Sequence, residues 1–240
     1  MPLLAVLLLS SCVPYKSLVN YNEGSRTFDK PQPIANYSPL TIQPSDILQI
    51  EVGSIEEKAV EMFKNYQAGG YMVNPDGSID FPLLGKVNLE GKTTAEASEN
   101  LLSELKKYFV DPPIVNVRIV NFNVSVNGEV NGPGNFKVGD ERISIVEAIT
   151  LAGDFTPYSR RDSVLIVREE NNTRVFGYVD FNRADLFNSP YFYLRQNDVV
   201  YVMPDKHKLG TIRNRETKAL PFASLGVSLI ILTVTILNLR

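Results

Sequence analysis

The sequence is almost without cysteine, histidine and tryptophan. Its 240 residues hold one cysteine, one histidine and no tryptophan. A single cysteine excludes an intrachain disulfide and every multi-cysteine metal site. One histidine, His207, leaves little for a histidine-based catalytic centre or a zinc site, so no metal and no cofactor is expected. Net charge is −3 and the basic residues are not gathered into a patch, which gives no footprint for nucleic acid. What remains is length. Without its two apolar ends the chain keeps about 200 residues, enough for two small domains with cores of their own.

Charge is absent from one long stretch. Between Lys218 and Arg240 no side chain is ionisable, and residues 219–239 are dense in Leu, Ile and Val. As a helix, that run would rise roughly 31 Å, the thickness of a hydrocarbon core, so a transmembrane helix is expected there. At about 100° per residue, Ser224, Ser228, Thr235 and Asn238 fall on one narrow stripe, with Thr233 on the far side. In lipid such groups face protein or water, which fits either a plain anchor or a helix packing against copies of itself. The preceding segment, 205–218, is a basic linker that would lie near headgroups or simply flank the helix.

The other apolar run, Leu3 to Leu9, is too short to span a bilayer and precedes Ser10-Ser11-Cys12, as in a secretory signal. Leu9-Ser10-Ser11-Cys12 resembles a bacterial lipobox. The resemblance implies a signal peptide over 1–11 and a lipid on Cys12, which makes a lone cysteine unproblematic outside the cytoplasm. Residues 12–38 are polar, carry Pro14, Pro31 and Pro33, and read as an extended tether.

Residues 39–120 read as a small α+β domain. Leu48, Ile50 and Val52 alternate with Gln49 and Glu51 as a half-buried strand. Asn74-Pro75-Asp76-Gly77, between alternating apolar residues, predicts a hairpin. Thr93 and Glu96 form a capping box before a helix whose buried face is Ala97, Leu101, Leu105 and Tyr108. Val115, Val117 and Ile119 give a closing strand. Residues 121–204 repeat the mixture: a strand at Phe122–Val126, a Gly-rich turn over Gly128–Gly134, and a helix opened by Ser144 and Glu147. Strands around Val164–Val167 and Val175–Tyr178 follow, then a last one ending near Val202.

Several ordered blocks resemble the amino-terminal domain of bacterial outer-membrane polysaccharide export proteins. They are Gln43-Pro44-Ser45-Asp46-Ile47-Leu48, Val73-Asn74-Pro75-Asp76-Gly77-Ser78-Ile79, Phe81-Pro82-Leu83-Leu84-Gly85-Lys86-Val87, and Gly91-Lys92-Thr93 before the helix. Gly128-Glu129-Val130, Pro133-Gly134, Ala148-Ile149 and Ala152-Gly153-Asp154-Phe155 are similar to the soluble-ligand-binding β-grasp module that follows it in that family. Larger members carry two such modules, and this chain has room for one. The fold class expected is therefore α+β: a polysaccharide-export domain, a β-grasp domain and a carboxyl-terminal transmembrane helix.

The resemblance implies an oligomeric outer-membrane lipoprotein, its soluble domains in the periplasm, forming a passage for capsular or exopolysaccharide. The stripe Ser224, Ser228, Thr235 and Asn238 would line that passage. Partners would be further copies of the chain, membrane lipid, the polysaccharide, and an inner-membrane co-polymerase with its kinase. A different class of function also fits: a monomeric, membrane-tethered β-grasp module binding a saccharide or small ligand.

Other chemistry is weaker. Gly128 to Gly134 lacks the dinucleotide-loop spacing and precedes a strand. Asp76 and Asp80 could suggest a carboxylate pair for sugar hydrolysis, but Asp76 is accounted for by its turn. Arg160-Arg161-Asp162 could meet an acidic polymer and reads as an exposed loop. No residue constellation argues for an enzyme.

Overall fold

A computed structural model of the chain describes residues 19–23, 34, 36–55, 61, 63, 69–170, 173–206, 208, 231 and 233–237. Two hydrophobic cores organise them.

The first core forms around β1 (Ile47–Gly53), whose alternation buries Leu48, Ile50 and Val52 and turns Gln49 and Glu51 outward. It lies between β2 (Tyr71–Met72) and β5 (Ile114–Ile119), antiparallel to both, with Ile50 opposite Val117. A separate hairpin joins β3 (Ser78–Phe81) to β4 (Gly85–Asn88). Helix α1 (Thr94–Leu105) packs on β5 and buries Ala97, Leu101 and Leu105 completely. Burying each leucine contributes about 2 kcal/mol. Thr93 caps the helix: its hydroxyl accepts from the Glu96 N–H at 3.2 Å, and Glu96 accepts from the Thr93 N–H at 2.8 Å.

Two local expectations change here. The turn at Asn74–Gly77 is present, with the Gly77 N–H donating to the Asn74 carbonyl at 2.9 Å. Its flanking strands do not pair with each other, because β2 is taken by β1 and β3 by β4. Tyr108 is 54% exposed rather than buried. Beyond Leu105 the chain tightens into a 3₁₀ turn (Lys106–Tyr108), which shifts the helical phase, and Phe109 enters the core instead. Phe109 stacks on Phe63, which stacks in turn on Phe81.

The second core is built on a five-stranded sheet in the order β10-β9-β12-β6-β7. These strands are β6 (Asn123–Gly128), β7 (Gly134–Lys137), β9 (Ser159–Glu170), β10 (Thr173–Val179) and β12 (Val199–Pro204). All neighbours are antiparallel except β12 and β6, where Val200 lies opposite Val126 in parallel. A short pair, β8 (Ile143–Ser144) with β11 (Tyr193–Leu194), flanks helix α2 (Ile145–Leu151). Ser144 and Glu147 close the predicted capping box, and Ile145, Ala148, Ile149 and Ala152 point inward. Gly128 must be glycine: its φ is +92°, and a Cβ there would lie 2.1 Å from the Val202 carbonyl oxygen. The Gly-rich stretch is the predicted hairpin connection, since β6 and β7 pair directly. Arg160-Arg161-Asp162 is not a loop but the start of β9.

The segment read as a tether is docked where it is described. The Tyr21 and Glu23 N–H groups donate to the Phe181 and Asn182 carbonyls, both at 2.8 Å. The Asn36 amide donates to the Phe187 and Ser189 carbonyls. Tyr21 packs on Phe187 and Tyr37 on Tyr193, so two tyrosines bracket an aromatic run on the second unit. Spacing could not reveal this, because aromatic partners more than a hundred residues away leave no periodic trace.

At the carboxyl end, Ile231 and residues 233–237 are helical and exposed. Thr235 donates its hydroxyl to the Ile231 carbonyl at 2.7 Å. Among the described residues no helix is long and apolar enough to cross a membrane. Cys12, Ser224, Ser228 and Asn238, and most of the run 219–239, lie outside the described residues.

Candidate functional site

The two units are locked together at the residue that joins them. Asn121 accepts from the Ile47 N–H at 2.8 Å and donates to the Ser45 carbonyl at 3.0 Å, both in the first unit. Its own carbonyl accepts from the Gln196 amide of the second unit at 2.8 Å, and Gln196 in turn accepts from the Asn123 N–H. A second tie joins Thr94, at the start of α1, to Glu141 of the second unit at 2.7 Å. Between the ties lies a cleft of about 600 Å³.

One wall is β5, the edge strand of the first sheet. The Val120 N–H donates inward to the Ile47 carbonyl, whereas the Val115 carbonyl points outward and accepts from the Ser98 hydroxyl. Peptide directions alternate along an antiparallel strand, so the N–H and C=O groups of Val117 and Ile119 share the outward direction of Val115. They form a row of donors and acceptors on an unpaired edge. Arg118 and Asn116 stand beside them, and the opposite wall is the end of β7 and its following turn, with Lys137, Asp140 and Glu141. Its lining mixes these polar groups with the apolar side chains of Ala95, Val117, Ile119, Val120 and Val138. Arg118 belongs to the outward row of β5, which the alternation already set apart. That it faces Lys137 and Asp140 could not be read from spacing, since the Asn121 hydrogen bonds fix that juxtaposition.

The residues weighed from the sequence lie elsewhere. Asp76 accepts from the Ser78 hydroxyl at 2.6 Å and from the Ser78 N–H, with Lys86 at 3.3 Å, and these hold its pKa down to about 2. A carboxyl ionised so firmly is a turn-former and a poor general acid. Asp80 accepts from the Asn74 amide. Arg160 pairs with Asp162 at 3.0 Å, and Arg161 lies over the Phe155 ring and donates to Asn20. His207 is outside the described residues. Among the described residues no group of three or more His, Cys, Asp or Glu is placed to hold a metal ion.

The described residues thus form two mixed α+β units with a cleft between them, and comparison with known proteins relates the first unit to a family. Residues 35–120 match the family described as polysaccharide biosynthesis/export protein. The match falls on the amino-terminal unit and takes in the blocks Gln43–Leu48, Val73–Ile79 and Phe81–Val87. The chain is similar to the EPS I polysaccharide export outer membrane protein EpsA of Ralstonia solanacearum, 29% identical over 143 residues. That match covers 52% of this chain and 37% of the relative. The protein of the same name from Ralstonia nicotianae is 30% identical over 138 residues, covering 50% and 36%. The exopolysaccharide production protein ExoF of Rhizobium meliloti is 32% identical over 89 residues, covering 36% and 21%. The chain thus spans little more than a third of the length of the first two relatives.

Proposed function

We propose that this protein is an outer-membrane lipoprotein whose copies assemble into a passage for capsular or exopolysaccharide, with both described units in the periplasm. The observation that carries the reading is the match over residues 35–120, which coincides with the first core and its own sheet. The second unit is read as a β-grasp module over 121–204. Its parallel pairing of β6 with β12, antiparallel flanking strands and covering helix α2 support that name. Cys12 carries the lipid, residues 12–38 lead to the first domain at 39–120, and 205–218 lead to a transmembrane helix over 219–239. On this reading Ser224, Ser228, Thr235 and Asn238 face the lumen, where uncharged hydroxyls and amides hydrogen-bond a hydrated sugar chain without trapping it. The exposure of Ile231, Val234, Ile236 and Leu237, between 52 and 76%, supports a helix that meets lipid or other copies. The inner-membrane co-polymerase and its kinase are the remaining partners.

The test is the mass of the lipidated full chain in mild detergent. A discrete oligomer that dissociates when 219–240 is deleted supports the passage. A clean monomer in several detergents, with a saturable saccharide site, would transfer the reading to the tethered binding module.

A further inference from the structure

We propose that the cleft between the two units binds a short stretch of acidic polysaccharide, its carboxylate held by Arg118 and Lys137 and its hydroxyls by the open edge of β5. This rests on the export reading and names the class of polymer that reading leaves open.

Arginine pairing singles out the site. Of the arginines among the described residues, six bond a neighbouring side chain and Arg142 lies over the Tyr37 ring. Among the described residues Arg118 makes no ion pair, side-chain hydrogen bond or ring contact, and it stands in the cleft. Lys137, on the opposite wall, has no ion pair either. Among the described residues Lys92, Lys106 and Lys206 also make no ion pair, so it is the unpaired Arg118 that sets the cleft apart. A guanidinium presents a planar fork that matches a carboxylate with two hydrogen bonds, and a second cation strengthens the attraction.

The rest of the lining suits the sugar rather than the acid alone. Sugar hydroxyls both donate and accept. The outward N–H and C=O groups of Val117 and Ile119 supply both functions at the spacing of an extended strand. Asn116 adds an amide, and Asp140 adds an acceptor for paired hydroxyls. Glu141 accepts from the Thr94 hydroxyl at 2.7 Å, a bond that fixes the carboxylate's place without removing its charge, so selectivity for an acidic sugar rests on the fork of Arg118. A cleft of about 600 Å³ lies inside the range of small-ligand sites, about 300–1,000 Å³. The Asn121–Gln196 and Thr94–Glu141 ties hold its walls before any ligand arrives, which limits the ordering cost of binding.

The test uses the full chain in detergent micelles, titrated calorimetrically with a short oligogalacturonate and with a neutral malto-oligosaccharide of equal length. The oligogalacturonate is expected to bind at least about tenfold tighter than the neutral chain, and Arg118→Gln to weaken it about ten- to a hundredfold. Raising the salt concentration should weaken the wild type more than the variant, while Arg160→Gln leaves binding unchanged. Equal binding by wild type and Arg118→Gln, equal binding of the two oligosaccharides, or no binding of the acidic one overturns the proposal. Secretion separates this from failure of the export reading. If cells lacking the protein still secrete their polymer, the export reading itself fails. If they stop, while cells carrying Arg118→Gln with Lys137→Gln secrete normally, the cleft proposal alone falls.

Discussion

Arg168 and Asp198 form an ion pair withdrawn from water inside the second unit. The guanidinium Nε lies 3.0 Å from Oδ1 and Nη2 2.7 Å from Oδ2, with the side chains 6% and 0% exposed. The same carboxylate accepts from the Arg195 N–H, and the guanidinium donates to the Tyr193 carbonyl and faces the Tyr191 ring at 5.3 Å. The pair joins β9 to the turn before β12 and to β11. Replacing Arg168 with Met leaves the carboxylate buried without its counter-charge and should cost about 3–5 kcal/mol. Denaturant midpoints of the full chain in detergent measure this. A loss under 1 kcal/mol would mean that water reaches the carboxylate.

Gly128→Ala should destabilise the second unit by at least about 2 kcal/mol, because it combines a positive φ with collision against a strand carbonyl. Hydrogen exchange in β6 and β12 reports it. Protection of Val126 and Val200 should fall together, since the strain sits at their shared ladder.

Asp46 titrates in the opposite sense to most surface carboxylates. Only 2% of it is exposed, and burial pushes its pKa up to about 6 despite the Gln43 N–H that it accepts. The native state therefore holds this proton more tightly than the unfolded chain, whose value is near 3.8. The associated stability is present below about pH 4 and is lost as pH rises to about 6. Asp46→Asn should remove that slope and gain roughly 1–2 kcal/mol at pH 7 relative to pH 4, discounted for partial solvent access. Stability curves at the two pH values decide it.

Asn121→Ala removes both side-chain bonds to the first unit and should uncouple the two melting transitions, at a cost of about 1–3 kcal/mol. Proteolysis between residues 119 and 122 should accelerate as the units separate. Unchanged cleavage would show that Thr94 and Glu141 suffice to hold the cleft.

What could be read in advance was what repeats locally. The alternation at Leu48–Val52, the capping boxes at Thr93 and Ser144, and the inward face of α2 all depend on neighbours within a few residues, and all appear as expected. Tyr108 failed because one tightened turn changes the phase, and the Asn74–Gly77 turn misled because a turn does not dictate which strands its arms join. The cleft was illegible for a deeper reason. Arg118 and Lys137 are nineteen positions apart in sequence, and the bonds made by Asn121 and between Thr94 and Glu141 bring their two units to one geometry. Polar contacts of that kind carry no periodicity.

The docking of Asn20–Glu23 beside Phe181 and Ala184 sets a leash length. Under the lipoprotein reading, eight residue steps separate Cys12 from Asn20, and such a stretch reaches at most about 29 Å. Lys208, bonded to Glu129, leaves from the same unit at the other end of the chain. Both moorings would then belong to the second unit. On that reading the unit built on β1 and α1 would reach the bilayer through the second unit, so a cut between the two would free it from the membrane.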